Sequence, residues 1–199
     1  MRLTRAFGTE GALRRASIDA KLLKQRESGP MTGAEQPTFF STDPDLRFDH
    51  PRLDGFLRYW ESKRRDRRLP ARADIDPAEL KPFLGYIFML DVVGEPKRFR
   101  YRLIGTKIVD HVGRDSTGKF QEEAYSPEQA AENNAMYRWI CDNRKPLRNF
   151  GAINWVGRDF YKYEIANLPL AADGETVNII LGCMMIESAS AQPPLPNES

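Results

Sequence analysis

Between Pro51 and Ile186 the spacing of apolar residues changes period repeatedly, and each change marks a new kind of element. Leu53, Phe56, Leu57 and Trp60 fall at i, i+3, i+4 and i+7, the spacing of one helical face, and Pro51 suits the first turn of that helix. The basic run Lys63, Arg64, Arg65, Arg67 and Arg68 then favours a helix C-terminus. Asp76-Pro77-Ala78-Glu79 reads as a single capped turn that Pro82 ends. From Tyr86 to Val93 the chain is a rich apolar strand. Gly94-Glu95-Pro96-Lys97 supplies turn residues, and Arg98-Phe99-Arg100-Tyr101-Arg102-Leu103 alternates charge with hydrophobe. Strand parity places Phe99, Tyr101 and Leu103 on one buried face and Arg98, Arg100 and Arg102 on the other.

Helical period returns at Thr106 to Val112, closed by Gly113. Ser126-Pro127-Glu128-Gln129 opens a longer helix with cap, first-turn proline and capping-box glutamine in place. Ala131, Ala135, Met136, Trp139 and Ile140 form its expected inward face, and it must end before Pro146. Leu147 to Val156, Phe160 to Leu170 and Val177 to Ile186 read as strands joined by turns at Gly157-Arg158-Asp159 and Asp173-Gly174, the second a strong hairpin signal. The order predicts an α+β fold: a five-stranded antiparallel sheet with helices gathered on one side and a leading helix ahead of it. The domain spans residues 48–187, between a leader of residues 1–47 and a proline-containing tail of residues 188–199, both expected to lack order.

The 199 residues suffice for one core. A balance of 30 basic against 28 acidic residues lacks the strong positive field of a nucleic-acid binder. Seven of the basic groups lie in residues 1–30, where Leu13, Ala16, Ala20 and Leu23 have helical spacing before Ser28-Gly29-Pro30. Met31 follows, so this leader reads as a frayed extension or an upstream start, with a basic amphipathic segment as the alternative. No 18-residue apolar run or signal-peptide core is present, and Cys141 and Cys183 are too few for a disulfide framework or zinc cluster. A cytoplasmic protein that does not cross membranes is expected.

Four stretches share a further likeness. Leu69-Pro70-Ala71-Arg72-Ala73-Asp74-Ile75-Asp76-Pro77, Phe99 to Thr106, Gly113-Arg114-Asp115-Ser116-Thr117-Gly118-Lys119, and Leu168-Pro169-Leu170 before Asp173-Gly174 together resemble a proteobacterial family of small, often stand-alone PAS-domain proteins. The resemblance implies a PAS-like fold and a sensory or scaffolding role in signal transduction, with a ligand that is generally undefined.

Several chemistries are nearly present. Gly113 to Lys119 matches the phosphate-loop pattern, but Phe120 replaces the magnesium-binding Ser/Thr, which disfavours an NTP site. The same loop resembles the Gly-Arg-Asn-Cys segment of flavin photosensors, with Ser116 in the place of the cysteine, so no flavin adduct is expected. Haem would need His50 or His111 as an axial ligand, and His111 reads as a helix-end histidine satisfied by solvent or a carbonyl, so no haem is expected. No Gly-x-Ser-x-Gly elbow or His-Glu-x-x-His motif appears, and Glu122 and Glu123 are neighbours whose side chains diverge, so no enzyme is expected.

The expected role is a sensory or interaction domain that binds a small molecule, a signalling protein partner, or both. Candidate pocket residues are Phe88, Leu90, Tyr101, Leu103, Ile108, Val109, Met136, Trp139, Ile140 and Tyr163. A homodimer is expected through Leu53, Phe56, Leu57 and Trp60. Arg102 is expected to pair with Asp115 in preference to Asp91. The rival reading is anion or nucleic-acid binding by the Arg64 to Arg72 run and the Arg98, Arg100 and Arg102 stripe.

Overall fold

A computed structural model describes residues 39–152 and 161–188. The leader before residue 39, the turn at Gly157-Arg158-Asp159 and residues 189–199 lie outside the described residues. The first strand, β1 (Ser41–Asp43), precedes helix α1 (Pro51–Arg64). After two single turns come β2 (Ile87–Val93), β3 (Arg98–Ile104), α2 (Thr106–Val112), α3 (Gln121–Ala124) and α4 (Pro127–Asn143), then β4 (Leu147–Ala152), β5 (Tyr161–Leu170) and β6 (Ile179–Ser188). The strands form one antiparallel sheet in the order β1-β4-β5-β6-β2-β3. Among the described residues it has six strands where five were expected. The additional strand, β1, lies within the stretch assigned to the leader and pairs with β4, Asp43 opposite Arg148. Its three residues carry no alternation that a sequence pattern could register.

Local chemistry accounts for the element ends. His50 caps α1 by accepting from Arg52 N at 3.1 Å, and Pro51 occupies the first turn. Ser126 caps α4 by accepting from Gln129 N at 3.3 Å. Gly113 closes α2 with φ +78°, a conformation cheap only for glycine. In the loop between β5 and β6, Asp173 accepts from the backbone N–H of Glu175 at 2.9 Å and of Thr176 at 2.7 Å. Those bonds favour its charged form and depress its carboxyl to about 2.

The sheet is apolar on both faces. Residues opposite one another in adjacent strands share a face, so the register assigns Phe88, Gly182, Asn167, Ile165, Met184 and Tyr163 to one side. Ile87, Met89, Ala166, Leu168, Leu181, Cys183 and Met185 lie on the other. Helices α2 to α4 cover the first face. Tyr137 of α4 packs its ring 5.2 Å from that of Phe99. Helix α1 covers the second, its Trp60 Nε1 donating to Pro169 O at 2.9 Å. Leu53 and Phe56 are fully buried and Trp60 is 2% exposed, while Leu57 is half-buried against the same core. The expected dimer face is therefore an interior face of the chain. Burying Leu53 and Phe56 contributes about 1.5–3 kcal/mol each, a stabilisation that a dimer through these side chains would have to forgo.

A β-bulge corrects the expected parity of β3. Leu90 pairs with Tyr101 and Met89 with Leu103, so Arg102 is the extra residue. Phe99 and Tyr101 face α4 as expected, but Leu103 is turned to the face of Met89, and Ile104, opposite Phe88, takes the inward position. Helix α4 is also rotated from its expected phase: Ala130, Asn134, Tyr137 and Cys141 are buried, whereas Ala131 and Ala135 are exposed.

The ring of Phe88 lies across Gly182, where an added β-carbon would stand 2.1 Å from Phe88 Cζ. Gly182→Ala is expected to destabilise the protein by about 1–3 kcal/mol in urea unfolding by expelling that ring. Phe88→Leu should recover part of the loss in the double variant, and strict additivity would refute the contact.

Candidate functional site

Between the sheet and helices α2 to α4 lies a cavity of about 80 Å³. Phe88 and Met184 come from central strands, Tyr101 and Ile104 from β3, Ile108 and Val112 from α2, and Met136 and Tyr137 from α4. Its polar side is formed by Arg114 and Ser116 in the loop after α2, Tyr125 between α3 and α4, Gln129 and Asn133 on α4, Asn149 on β4 and Tyr163 on β5. The alternation of each strand delivers these groups: Tyr163 and Ile165 point inward while Glu164 points to the other face.

The polar lining is an ordered set. Tyr101 and Tyr125 share a hydroxyl–hydroxyl hydrogen bond of 2.9 Å. Burial, with Tyr125 and Tyr137 nearby, holds the Tyr101 phenol far above its ordinary range, so it remains a neutral donor and acceptor. Burial likewise raises Tyr137 and Tyr163. Asn167 donates to Asn149 Oδ1 at 2.7 Å and to Leu147 O at 3.1 Å, fixing the Asn149 amide at the wall. Asn133 donates to Gln121 Oε1 at 3.2 Å and Asn134 to Glu122 Oε1 at 2.9 Å, joining α4 to α3. The Arg114 guanidinium lies 4.9 Å from the centre of the Tyr125 ring.

Of the ten pocket candidates, Phe88, Tyr101, Ile108, Met136 and Tyr163 line this cavity. Leu90 and Ile140 are fully buried in the core outside its wall, and Val109 and Trp139 are half-buried and do not line it. The bulge places Leu103 instead in a second, open groove on the opposite face, with Ile87, Met89 and Leu80. Parity and helical phase did not reach Arg114, Ser116, Tyr125, Asn133, Tyr137 and Asn149. Gln129 and Asn133 sit four residues apart on α4, and that polar row beside an apolar one was the available signal.

Arg102 does not pair with Asp115. Its Nε donates to Asp91 Oδ1 at 2.6 Å, and Arg100 donates to Asp91 Oδ2 at 3.1 Å. The bulge brings both guanidinium groups over one carboxylate. Asp115 accepts from Thr117 N at 2.8 Å, and the Thr117 side chain and backbone hold its carboxyl below the usual range. Arg98 lies 3.6 Å from Glu122 and stacks 3.9 Å from the centre of the Phe120 ring. In the other basic run, Arg67 pairs with Asp74 and Arg68 with Glu175. Much of the cationic surface that the nucleic-acid reading would use is thus neutralised within the chain.

The residues present do not fit the cofactors that the motifs bring to mind. In the 113–119 loop, Gly118 N donates to Tyr101 O at 2.8 Å, Lys119 N to Ser116 O at 3.0 Å and Thr117 N to Asp115, so these amides are not free to cradle phosphate. His111 bonds the Lys107 carbonyl at 2.7 Å and His50 caps α1, and neither lines the cavity. Haem would find no imidazole or thiolate there. A benzene-sized ligand occupies a cavity of roughly 150 Å³, so 80 Å³ does not admit a three-ring flavin.

Residues 48–185 match the PAS domain family. No curated protein matches the chain. Among solved structures, an RNA-binding light-oxygen-voltage receptor aligns with a TM-score of 0.35 at 15% identity, covering 78% of this chain and 36% of the receptor. This chain thus matches only about a third of the receptor's length, and a likeness at that score adds nothing to the family match.

The ion-pair assignment has a direct check. In a double-mutant cycle, Arg102→Met and Asp91→Asn are expected to couple by about 0.5–1 kcal/mol, as for a half-exposed pair, and Arg102→Met and Asp115→Asn by nothing measurable. Coupling to Asp115 in place of Asp91 would overturn the assignment.

Proposed function

The chain belongs to the PAS domain family, and on that premise we propose that it is a sensory domain of signal transduction that admits a small molecule between its sheet and helices α2 to α4 and passes its occupancy to a protein partner. The observation that carries this reading is the polar lining of the cavity. A core built only for stability would fill this space with aliphatic side chains, because buried amides and hydroxyls cost free energy unless paired. Here phenols, amides and a buried serine converge on one space beside Phe88, Met136 and Met184. That combination of apolar wall and few convergent polar groups is what small-molecule sites share.

The route to a partner follows from the elements that frame the cavity. Tyr125 and the 113–119 loop touch both the cavity and the β3 edge, because Tyr101 N donates to Lys119 O at 2.9 Å. Occupancy would act on that edge, and not through the buried face of α1.

Methionine methyl groups give a test with a built-in control. Met136 and Met184 line the cavity, while Met89 and Met185 face the side covered by α1. With methyl-labelled methionine, titration with a small neutral probe, butyramide, is expected to shift Met136 and Met184 and leave Met89 and Met185 in place. Native mass spectrometry of the gently purified protein is expected to show a retained small mass. No shift at Met136 or Met184, together with a bare protein mass, would dismiss the sensory-cavity reading.

A further inference from the structure

The polar side of the cavity has unused donors. The Arg114 guanidinium makes no ion pair with any described residue, its one partner being the Tyr125 ring. Ser116 is only 5% exposed and lines the cavity, yet its hydroxyl has no hydrogen bond within the described residues. Within the Tyr101–Tyr125 bond one hydroxyl donates to the other, which leaves one phenolic hydrogen for a further acceptor. A cation and a buried hydroxyl two residues apart on one loop therefore face the same space.

Among the described residues, none that lines the cavity is acidic. Asp115, which separates Arg114 from Ser116, is occupied by Thr117 N at 2.8 Å and does not line the cavity. On α4, Glu132, which adds to the raised Tyr163 phenol, accepts from Phe39 N at 2.9 Å and does not line the cavity. The described lining thus offers one positive group, Arg114, beside hydroxyl donors, and the apolar surfaces of Phe88, Ile108, Met136 and Met184 interspersed with neutral amides and phenols. Arg114 is exposed as well as cavity-lining, which puts it at the opening.

Resting on the sensory reading above, we propose that the ligand class is a short aliphatic monocarboxylate, its carboxylate held by Arg114 and Ser116 and its carbon chain inside the cavity. A guanidinium takes a carboxylate through two parallel N–H donors, and a hydroxyl can supply a third. Size sets the rest. A cavity of about 80 Å³ is roughly half that which takes six-carbon benzene, so the buried part is an aliphatic chain of about three carbons. A second carboxylate would find neutral amides and phenols but no second cation among the described lining residues, which argues against diacids.

The test titrates the full chain with butyrate, acetate and the neutral isostere butyramide, reading the Met136 and Met184 methyl shifts and calorimetric affinity. Butyrate is expected to bind at least about tenfold more tightly than butyramide. Arg114→Gln should remove that advantage and leave butyramide unchanged. Ser116→Ala should weaken butyrate several-fold. Acetate should bind more weakly than butyrate, since it leaves the apolar space unfilled. Circular dichroism of both variants, which alter a surface arginine and a loop serine, verifies that each is folded. Butyramide binding as well as butyrate, or butyrate binding that ignores Arg114→Gln, would overturn the carboxylate assignment and leave the cavity reading standing. Equal binding of acetate and butyrate would overturn it too, as an anion site at the opening only. Absence of shifts with all three probes would refute both readings together.

Discussion

A sheet that is apolar on both faces must be covered on both, and this constraint organises the molecule. Helices α2 to α4 cannot reach Ala166, Leu168, Leu181 and Cys183, which the register puts on the far side. Helix α1 covers them, and the segment entering it is fixed to the sheet by charge. Glu164 accepts from the backbone N–H of Asp49 and of His50 at 2.9 Å each, and from Arg148, which also meets Asp49 at 2.8 Å and Asp43 at 3.5 Å. Arg148 and Glu164 are both nearly buried, and losing Arg148 would strand the Glu164 carboxylate with no cation beside it among the described residues, whereas Arg148 would keep Asp43 and Asp49 without Glu164. With α1 sealing the outer face, the inner face can leave a polar-lined space without opening the core to water.

The inner face shows how small local choices shape that space. Phe88 lies flat because Gly182 has no side chain, and Tyr163 lies over Gly151, where a β-carbon would come within 3.1 Å of its hydroxyl. Glycines opposite aromatic rings hold those rings against the sheet and keep the volume above them free. The bulge at Arg102 turns Leu103 away and brings Ile104 in. It also sets Arg100 and Arg102 over Asp91, so the arginine stripe is a tie between β2 and β3.

Much of the architecture was legible in the sequence because capping, turn chemistry and period are local. Pro51, Gly113, Ser126 and Asp173-Gly174 each act where they were expected, and Arg98 and Arg100 point outward as alternation requires. What was not legible depends on partners distant in sequence. An apolar helical face looks the same whether it meets a second chain or its own sheet, so Leu53, Phe56 and Trp60 could not reveal their burial. A bulge leaves no mark in an alternating pattern, so Leu103 was assigned to the wrong face. The cavity was half legible. Phe88, Tyr101 and Tyr163 follow from parity, but Ile104 enters through the bulge, and Arg114, Ser116 and Tyr125 reach the cavity from irregular segments, whose placement only the packing of α2 to α4 determines.

The dependence of the fold on α1 can be measured in the intact chain by native-state hydrogen exchange. If α1 is a structural layer, the amides from Phe56 to Trp60 should open only with global unfolding and share the protection of central β5 and β6. If α1 is instead a detachable interface helix, its amides would exchange by local opening, orders of magnitude faster than those of a sheet that stays protected, and that result would contradict the two-sided core.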